Sequence, residues 1–231
     1  GVSREKATGI SVISNPAANA YNPDEDGFSA SSVDAKLTAK LNPGHALSIG
    51  LLRSDTEYQF DGTPFPNPLK LTRLTTDARS RINLNHTTFK WLPQWNAALT
   101  VGSSDEQSAG DYFRTPDGAW GGNTRFNTNR RQATWQNNIT LDKDVVSLML
   151  ENRSESVDSS TAYTVTSRDV HSAMVSYAFN RPVWNALLVA RNDDNSQFGN
   201  FNNWSASGGY RLTESVRAVA SVGTSFQAPS F

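Results

Sequence analysis

A hydrophobic periodicity close to two residues runs through most of the chain. Between Val33 and Leu41 every second residue is apolar, and Asp34, Lys36, Thr38 and Lys40 occupy the positions between. Successive side chains of a β-strand point to opposite faces, so this pattern predicts a strand with one apolar and one polar face. Further apolar stripes begin at Leu47, Trp95, Ala133, Val146, Ala173, Trp184 and Val216.

The stripes predict about eleven strands, many of about ten residues or more. Strands of ordinary globular proteins average about 5–6 residues, whereas strands that cross a bilayer at a tilt need about 9–11. Helical periodicity does not appear over a useful length. The length of the stripes therefore favours strands that cross a membrane.

Short and long connections alternate along the predicted strands. Tight turns are predicted at Asn42–Gly44, Leu92–Gln94, Asp142–Asp144, Arg181–Pro182 and Thr213–Glu214. Longer polar loops are predicted at Ser14–Gly27, Phe60–Lys70, Ser103–Thr124, Glu155–Tyr163 and Asn192–Phe201. Outer-membrane barrels have short periplasmic turns and long extracellular loops. The fold predicted is all-β: a transmembrane, antiparallel, up-and-down β-barrel, present here as a partial barrel in an open, curved sheet.

Aromatic residues lie close to the predicted short turns: Trp91, Trp95, Tyr177, Phe179, Trp184 and Tyr210. Such rings suit the boundary between lipid and water, which indicates a girdle. The alternative is a soluble β-sandwich with these rings in its core. A sandwich would have to bury Asp34, Lys36, Gln132, Gln136 and Asn138 without partners, whereas a wide barrel can leave them in contact with water.

Composition excludes several classes of function. The chain has no cysteine, which rules out disulfides and zinc–thiolate sites. The net charge of -1 gives no basic surplus for nucleic acid. His45, His86 and His171 do not cluster, no serine has the context of a catalytic nucleophile, and we expect no enzyme.

Two late motifs resemble one family. They are Asp193-Asp194-Asn195-Ser196-Gln197-Phe198-Gly199 and Gly223-Thr224-Ser225-Phe226-Gln227-Ala228-Pro229. Together they resemble TonB-dependent outer-membrane receptors, and the first resembles the cobalamin (vitamin B12) branch. The resemblance is good over residues 183–231 and looser from Gly9 onward.

The resemblance implies a barrel of about 22 strands filled by a plug. Residues 1–231 would be part of its wall, with the plug, the TonB box and the remaining strands absent. The expected function is energy-coupled uptake of cobalamin or a related corrinoid, with outer-membrane lipid and the TonB complex as partners. The alternatives are a siderophore or metal-chelate receptor, a small barrel enzyme and a porin. Because Pro229 is unsuited to a paired strand, we expect Phe231 to mark a truncation just past the last strand rather than the end of a terminal barrel strand.

The resemblance also implies calcium in the loops. Asp24, Asp26 and Asp61 match the family's acidic positions, and adjacent hairpins would bring them to one rim. Calcium takes 6–8 oxygen ligands, mainly carboxylates and carbonyls. Two further family acids are replaced near Ser11 and Lys70. The alternative is that the three aspartates are solvated turn residues.

Three further residues are candidates for the ligand rim. Asp193 and Asp194 would order a loop or contact ligand, or else form a turn through Asx hydrogen bonds. Trp120 lies in the predicted loop Ser103–Thr124 beside Gly118, Gly121 and Gly122, and would touch ligand from a flexible external loop. No catalytic residue is predicted.

Overall fold

The computed structural model of the chain describes residues 1–10, 15, 25–60, 71–114 and 120–229. Across these residues the regular structure is entirely β, in eleven strands. They are β1 (Val2–Ala7), β2 (Phe28–Asn42), β3 (His45–Phe60), β4 (Leu71–Leu92), β5 (Trp95–Arg114), β6 (Trp120–Leu141), β7 (Asp144–Ser159), β8 (Ser167–Asn180), β9 (Trp184–Asn195), β10 (Gly199–Arg211) and β11 (Arg217–Gly223).

The strands form one antiparallel sheet whose spatial order is the order of the sequence. Among the described residues, β1 pairs only with β2 and β11 pairs only with β10, so the curved sheet is open. The predicted all-β, up-and-down architecture with about eleven strands is therefore confirmed. No helix in the described part of the chain is long and apolar enough to cross a membrane.

Three of the predicted tight turns are confirmed, and each leaves two residues between its strands. They join β2 to β3 at residues 43–44, β4 to β5 at 93–94 and β6 to β7 at 142–143. Gly44 has a φ of 91°, and a β-carbon there would lie 2.5 Å from the Cβ of Lys90. The first turn therefore requires glycine both for its backbone conformation and for its contact with β4.

Several strands extend further than predicted. Strand β5 continues to Arg114 and β6 begins at Trp120, so most of the predicted loop Ser103–Thr124 is paired strand. The predicted loop Asn192–Phe201 is also wrong, since β9 and β10 stay paired as far as Asn195 and Gly199. The connection between them is confined to residues 196–198. Backbone pairing does not need apolar side chains, so it continues where the apolar stripe has ended.

The register separates the side chains into two faces. Leu99, Trp135, Leu150 and Ala173 are cross-strand neighbours and belong to what we call the apolar face. The polar face holds the residues between them, including Gln132, Glu151 and Arg191. On β7 and β8 all polar-face residues except Asn180 are half-buried or buried, while most apolar-face residues are exposed. The polar face is therefore the more enclosed, concave side of the curved sheet.

The apolar core is small. Among the described residues only Ala97, Val157 and Val170 are buried hydrophobic side chains. Val157 and Val170 lie on the polar face of β7 and β8, near the end of the sheet that carries the longer loops. Hydrogen bonding between strands, rather than burial of leucine and valine, supplies the continuous contacts of this sheet.

Candidate functional site

A group of charged side chains lies on the polar face of β6 to β9. On β7, Glu151, Arg153 and Glu155 occupy alternate positions, so all three point to this face. The neighbouring strands contribute partners from the same rows of the sheet. We call this group the polar-face network, and its members are Arg130, Gln132, Glu151, Arg153, Glu155, Arg168, Ser172, Arg191 and Asp193.

Glu155 is the first centre of the network. The Nε of Arg168 lies 2.6 Å from its Oε2, and the Nε of Arg153 lies 3.4 Å from its Oε1. Arg130 approaches from β6 at 3.7 Å. The Glu155 side chain is only 14% exposed, so its charge requires these partners.

Arg191 is the second centre and joins two carboxylates. It donates to Asp193 at 2.8 and 3.0 Å, and to Oε1 of Glu151 at 3.3 Å. The hydroxyl of Ser172 accepts from Arg191 at 2.9 Å and donates to Asp193 at 2.5 Å. Gln132 donates to the other oxygen of Glu151 at 2.7 Å. Each carboxylate is thus held from two or more strands.

The chemistry available to the network is recognition of polar groups. The carboxylates already accept hydrogen bonds from arginine, glutamine or serine, so none is left as an isolated base. No cluster of three or more histidine, aspartate or glutamate side chains suited to a metal ion occurs in the part of the chain that the structure describes. The network can rigidify the wall and present guanidinium and amide groups to a polar partner on the concave side.

A second polar cluster fixes the short-turn end of the sheet. Both Asp144 oxygens accept from Arg181, at 2.6 and 3.2 Å, and Tyr177 donates its hydroxyl hydrogen at 2.7 Å. The backbone N–H of Asn180 adds a contact of 3.1 Å. We call these four residues the short-turn clasp. The hydrogen bond to Asp144 raises the pKa of the Arg181 guanidinium, which lies in the turn outside the strands.

Aromatic rings gather at the same end, as predicted. Phe179 and Trp184 have ring centroids 4.1 Å apart, and the Arg181 guanidinium lies 3.8 Å from the centroid of Phe179. Trp91 and Trp95 are 4.8 Å apart on either side of the turn at residues 93–94. Both pairs lie close to short turns, the position that a boundary girdle requires.

The predicted rim residues have different surroundings. Asp193 and Asp194 lie within β9, not in a loop, which corrects their predicted placement. Asp193 belongs to the polar-face network, whereas Asp194 is exposed on the opposite face. Asn195 forms the turn, because its side-chain oxygen accepts from the N–H groups of Gln197 and Phe198 at 2.9 and 3.2 Å.

Trp120 and Asp26 also have described positions, at the beginning of β6 and just before β2. Trp120 begins β6 and its backbone pairs with Phe113, so its placement in a flexible loop is also corrected. Asp26 lies just before β2, and its N–H contacts the carbonyl oxygen of Ile10 at 3.4 Å. Asp24 and Asp61 lie outside the described residues, so the calcium site stays a prediction.

Neither the polar-face network nor the short-turn clasp is among the features that the sequence predicts. A signal for the network was present in the alternation Glu151, Arg153, Glu155, which places three charges on one face of a single strand. The partners on β8 and β9 could not be identified without the register. The clasp joins Asp144 to residues more than thirty positions away, and no local pattern marks it.

Comparisons with known proteins give two informative relatives. The chain is 25% identical over 233 residues to the vitamin B12 transporter BtuB of Photobacterium profundum, covering 98% of this chain and 35% of that protein. It is 35% identical over 81 residues to the vitamin B12 transporter BtuB of Vibrio vulnificus, covering 35% of this chain and 13% of that protein. No family model matches. The chain spans about a third of the length of the first relative and is a distant match to it.

Proposed function

We propose that this sheet is part of the wall of an outer-membrane β-barrel, in a TonB-dependent receptor that imports cobalamin or a related corrinoid. The observation that carries the proposal is the inverted exposure of the two faces. Leu148 and Leu150 are 45% and 52% exposed, whereas the side chains of Glu151 and Glu155 are 10% and 14% exposed. A sheet that folds in water places its leucines inside and its carboxylates outside.

A lipid environment accounts for this inversion. Leucine and valine on the apolar face then contact hydrocarbon, and every interior strand satisfies its backbone groups by pairing with two neighbours. The polar-face network lies on the concave side, which in a wide barrel faces water or a plug rather than lipid. The aromatic pairs at the short-turn end then lie at the periplasmic boundary of the membrane.

The proposed role of this chain is structural support for a ligand-binding rim and a lumen. Its network would hold four neighbouring strands in a fixed arrangement, with Asp193, Asp194 and Trp120 toward the extracellular side. Calcium held by Asp24, Asp26 and Asp61 would order the nearby loops. Energy from TonB would act through a plug inside the barrel.

Corrinoid uptake is favoured over other chelates by the two relatives, both of which are named vitamin B12 transporters. The test is equilibrium binding of cyanocobalamin and of a ferric siderophore to outer membranes that contain the complete gene product, with and without calcium. We expect saturable binding of cyanocobalamin that calcium strengthens, and no saturable siderophore binding. Saturable binding of the siderophore alone would refute corrinoid uptake and retain a chelate receptor.

A further inference from the structure

The apolar face contains a groove. A cavity of about 630 Å³ lies between Trp135 on β6 and Trp204 on β10, with Val175, Ala173 and Ala190 in the floor between them. The groove exists because small side chains on β8 and β9 lie between large rings on either side. Its size is within the range of about 300–1,000 Å³ that is common for ligand sites.

A smaller cavity, lined in part by polar side chains, continues the groove along the same face. It has a volume of about 330 Å³. It lies one pleat further toward the long-loop end, because Ala133 is the next apolar-face residue beyond Trp135 in that direction, and Asn152 is the next beyond Leu150. We call it the polar notch. It is lined by Val101, Gly102, Ser103, Arg131, Gln132, Ala133, Asn152 and Ser154.

Arg131 gives the notch a positive charge. Its side chain is exposed, and it forms no ion pair with any carboxylate in the described ranges. Arg130, the preceding residue, points to the opposite face and approaches Glu155 at 3.7 Å. Arg131 is therefore available to an external anion, and a guanidinium is well suited to the oxygens of a phosphate.

The position of Arg131 along its strand matches a membrane boundary. Strand β6 ends at Leu141, beside a short turn. From there to Arg131, a strand tilted by about 40° rises about 26 Å along the membrane normal. The apolar band of outer-membrane barrels is about 25 Å tall. Arg131 thus falls at the height of the extracellular headgroups, with the groove below it.

Several asparagine groups beside the groove already have hydrogen-bond partners. Asn137 is buried and accepts from the indole N–H of Trp95 at 3.1 Å. Asn192 exchanges hydrogen bonds with Asn200 and donates to Asn202 at 2.8 Å. A peptide segment in the groove would find few partners for its backbone N–H and C=O groups, whereas an acyl chain needs none.

We propose that the groove and the polar notch bind one phosphorylated glycolipid of the outer leaflet, with a phosphate at Arg131 and an acyl chain between Trp135 and Trp204. An apolar groove that ends in a cationic notch matches the order of chain and headgroup in such a lipid. The proposal rests on the membrane placement given under Proposed function, because only a lipid-facing surface meets this ligand.

The test is native mass spectrometry of the complete gene product in detergent micelles. The micelles are titrated with a diphosphorylated, multiply acylated glycolipid, with its dephosphorylated counterpart and with phosphatidylglycerol. We expect one phosphorylated glycolipid to be retained per protein, and the other two lipids to bind at least about tenfold more weakly. Equal retention of the dephosphorylated lipid, or tighter retention of phosphatidylglycerol, overturns the proposal.

Two pairs of variants locate the site. Arg131→Gln should weaken retention about tenfold, whereas Lys36→Gln, which removes an exposed charge from the polar face of β2, should leave it unchanged. Ala190→Phe fills the groove and should weaken retention, whereas Ala39→Phe, on the apolar face of β2, should not. If the two members of either pair behave alike, the assigned site is wrong.

Heat-modifiable migration in gels reports whether the complete protein has inserted as a barrel. It therefore distinguishes a failure of the lipid site from a failure of the proposed function. A complete protein that does not insert as a barrel contradicts both proposals. A protein that inserts, and whose variants insert equally well, but that retains no glycolipid contradicts only the lipid site.

Discussion

Leu150→Arg tests whether the apolar face lies in lipid. Leu150 is 52% exposed on β7, and its cross-strand neighbours Trp135 and Ala173 are also on the apolar face. In water, a substitution at such an exposed position changes stability by no more than about 0.5 kcal/mol. In a bilayer the arginine must remain in hydrocarbon or distort the membrane around it, so the cost is much larger.

The free-energy cost of the arginine depends on its depth in the membrane. On β7 the apolar face runs from Asp144, beside the short turn, to Ser154, which pairs with Arg131 at the height assigned to the headgroups. Leu148 and Leu150 lie near the middle of this span. Arginine at the midplane of an outer-membrane barrel costs about 2–4 kcal/mol, and near the interface about 0–1 kcal/mol. We expect the larger cost for Leu148→Arg and Leu150→Arg, and the smaller cost for Ser154→Arg.

The assay is denaturant unfolding of the complete gene product in lipid vesicles, followed by tryptophan fluorescence. Ser154→Arg is the matched control, because it lies on the same strand and the same face. A profile with no dependence on depth, in which all three substitutions change the free energy of unfolding by less than about 0.5 kcal/mol, would refute the lipid-facing assignment.

Other sites give further expectations. Asp144→Asn removes the carboxylate of the short-turn clasp, so the denaturant midpoint should fall, while Asp142→Asn in the adjacent turn should change it little; equal midpoints would contradict the clasp. Trp95→Phe leaves the buried amide oxygen of Asn137 without its donor and should cost about 1–3 kcal/mol in the same unfolding assay, and a neutral result would contradict that pairing. Calcium should protect the extracellular loops from proteolysis in the complete protein, and this protection should be lost when asparagine replaces the predicted ligands Asp24, Asp26 and Asp61. Calcium protection that survives all three replacements would contradict this site.

The strand framework could be predicted because period two is a local property. The apolar members between Val33 and Leu41 define the face of β2 without reference to any other strand, and proline and glycine at residues 43 and 44 mark its end. The ends of β5, β6 and β9 could not be predicted in this way. Their outer residues carry no continuous apolar stripe of period two, and they remain in the sheet because backbone groups pair across it.

The polar-face network was harder to predict from the sequence than the strands were, for a physical reason. A cross-strand ion pair depends on register, and a shift of one residue moves every side chain to the other face. Asp193 illustrates the difficulty. Its position beside a second aspartate suggests a loop, but pairing along β9 places it beside Arg191 and Ser172 on the polar face. Only the register of three strands identifies that environment.

The two faces of the sheet place opposite requirements on the solvent around it. The polar face satisfies its charges within the sheet, since Glu151, Glu155 and Asp193 each accept from arginine and remain largely shielded. The apolar face cannot cover its own side chains, because Leu148, Leu150 and their neighbours point outward from the convex side of the sheet. A second sheet packed on that side could cover them in a soluble protein, but it would meet Arg131 and the paired asparagines at one end and would have to bury them. Lipid would cover the same surface without that cost, since headgroups and water would meet the polar end while acyl chains would meet the leucines.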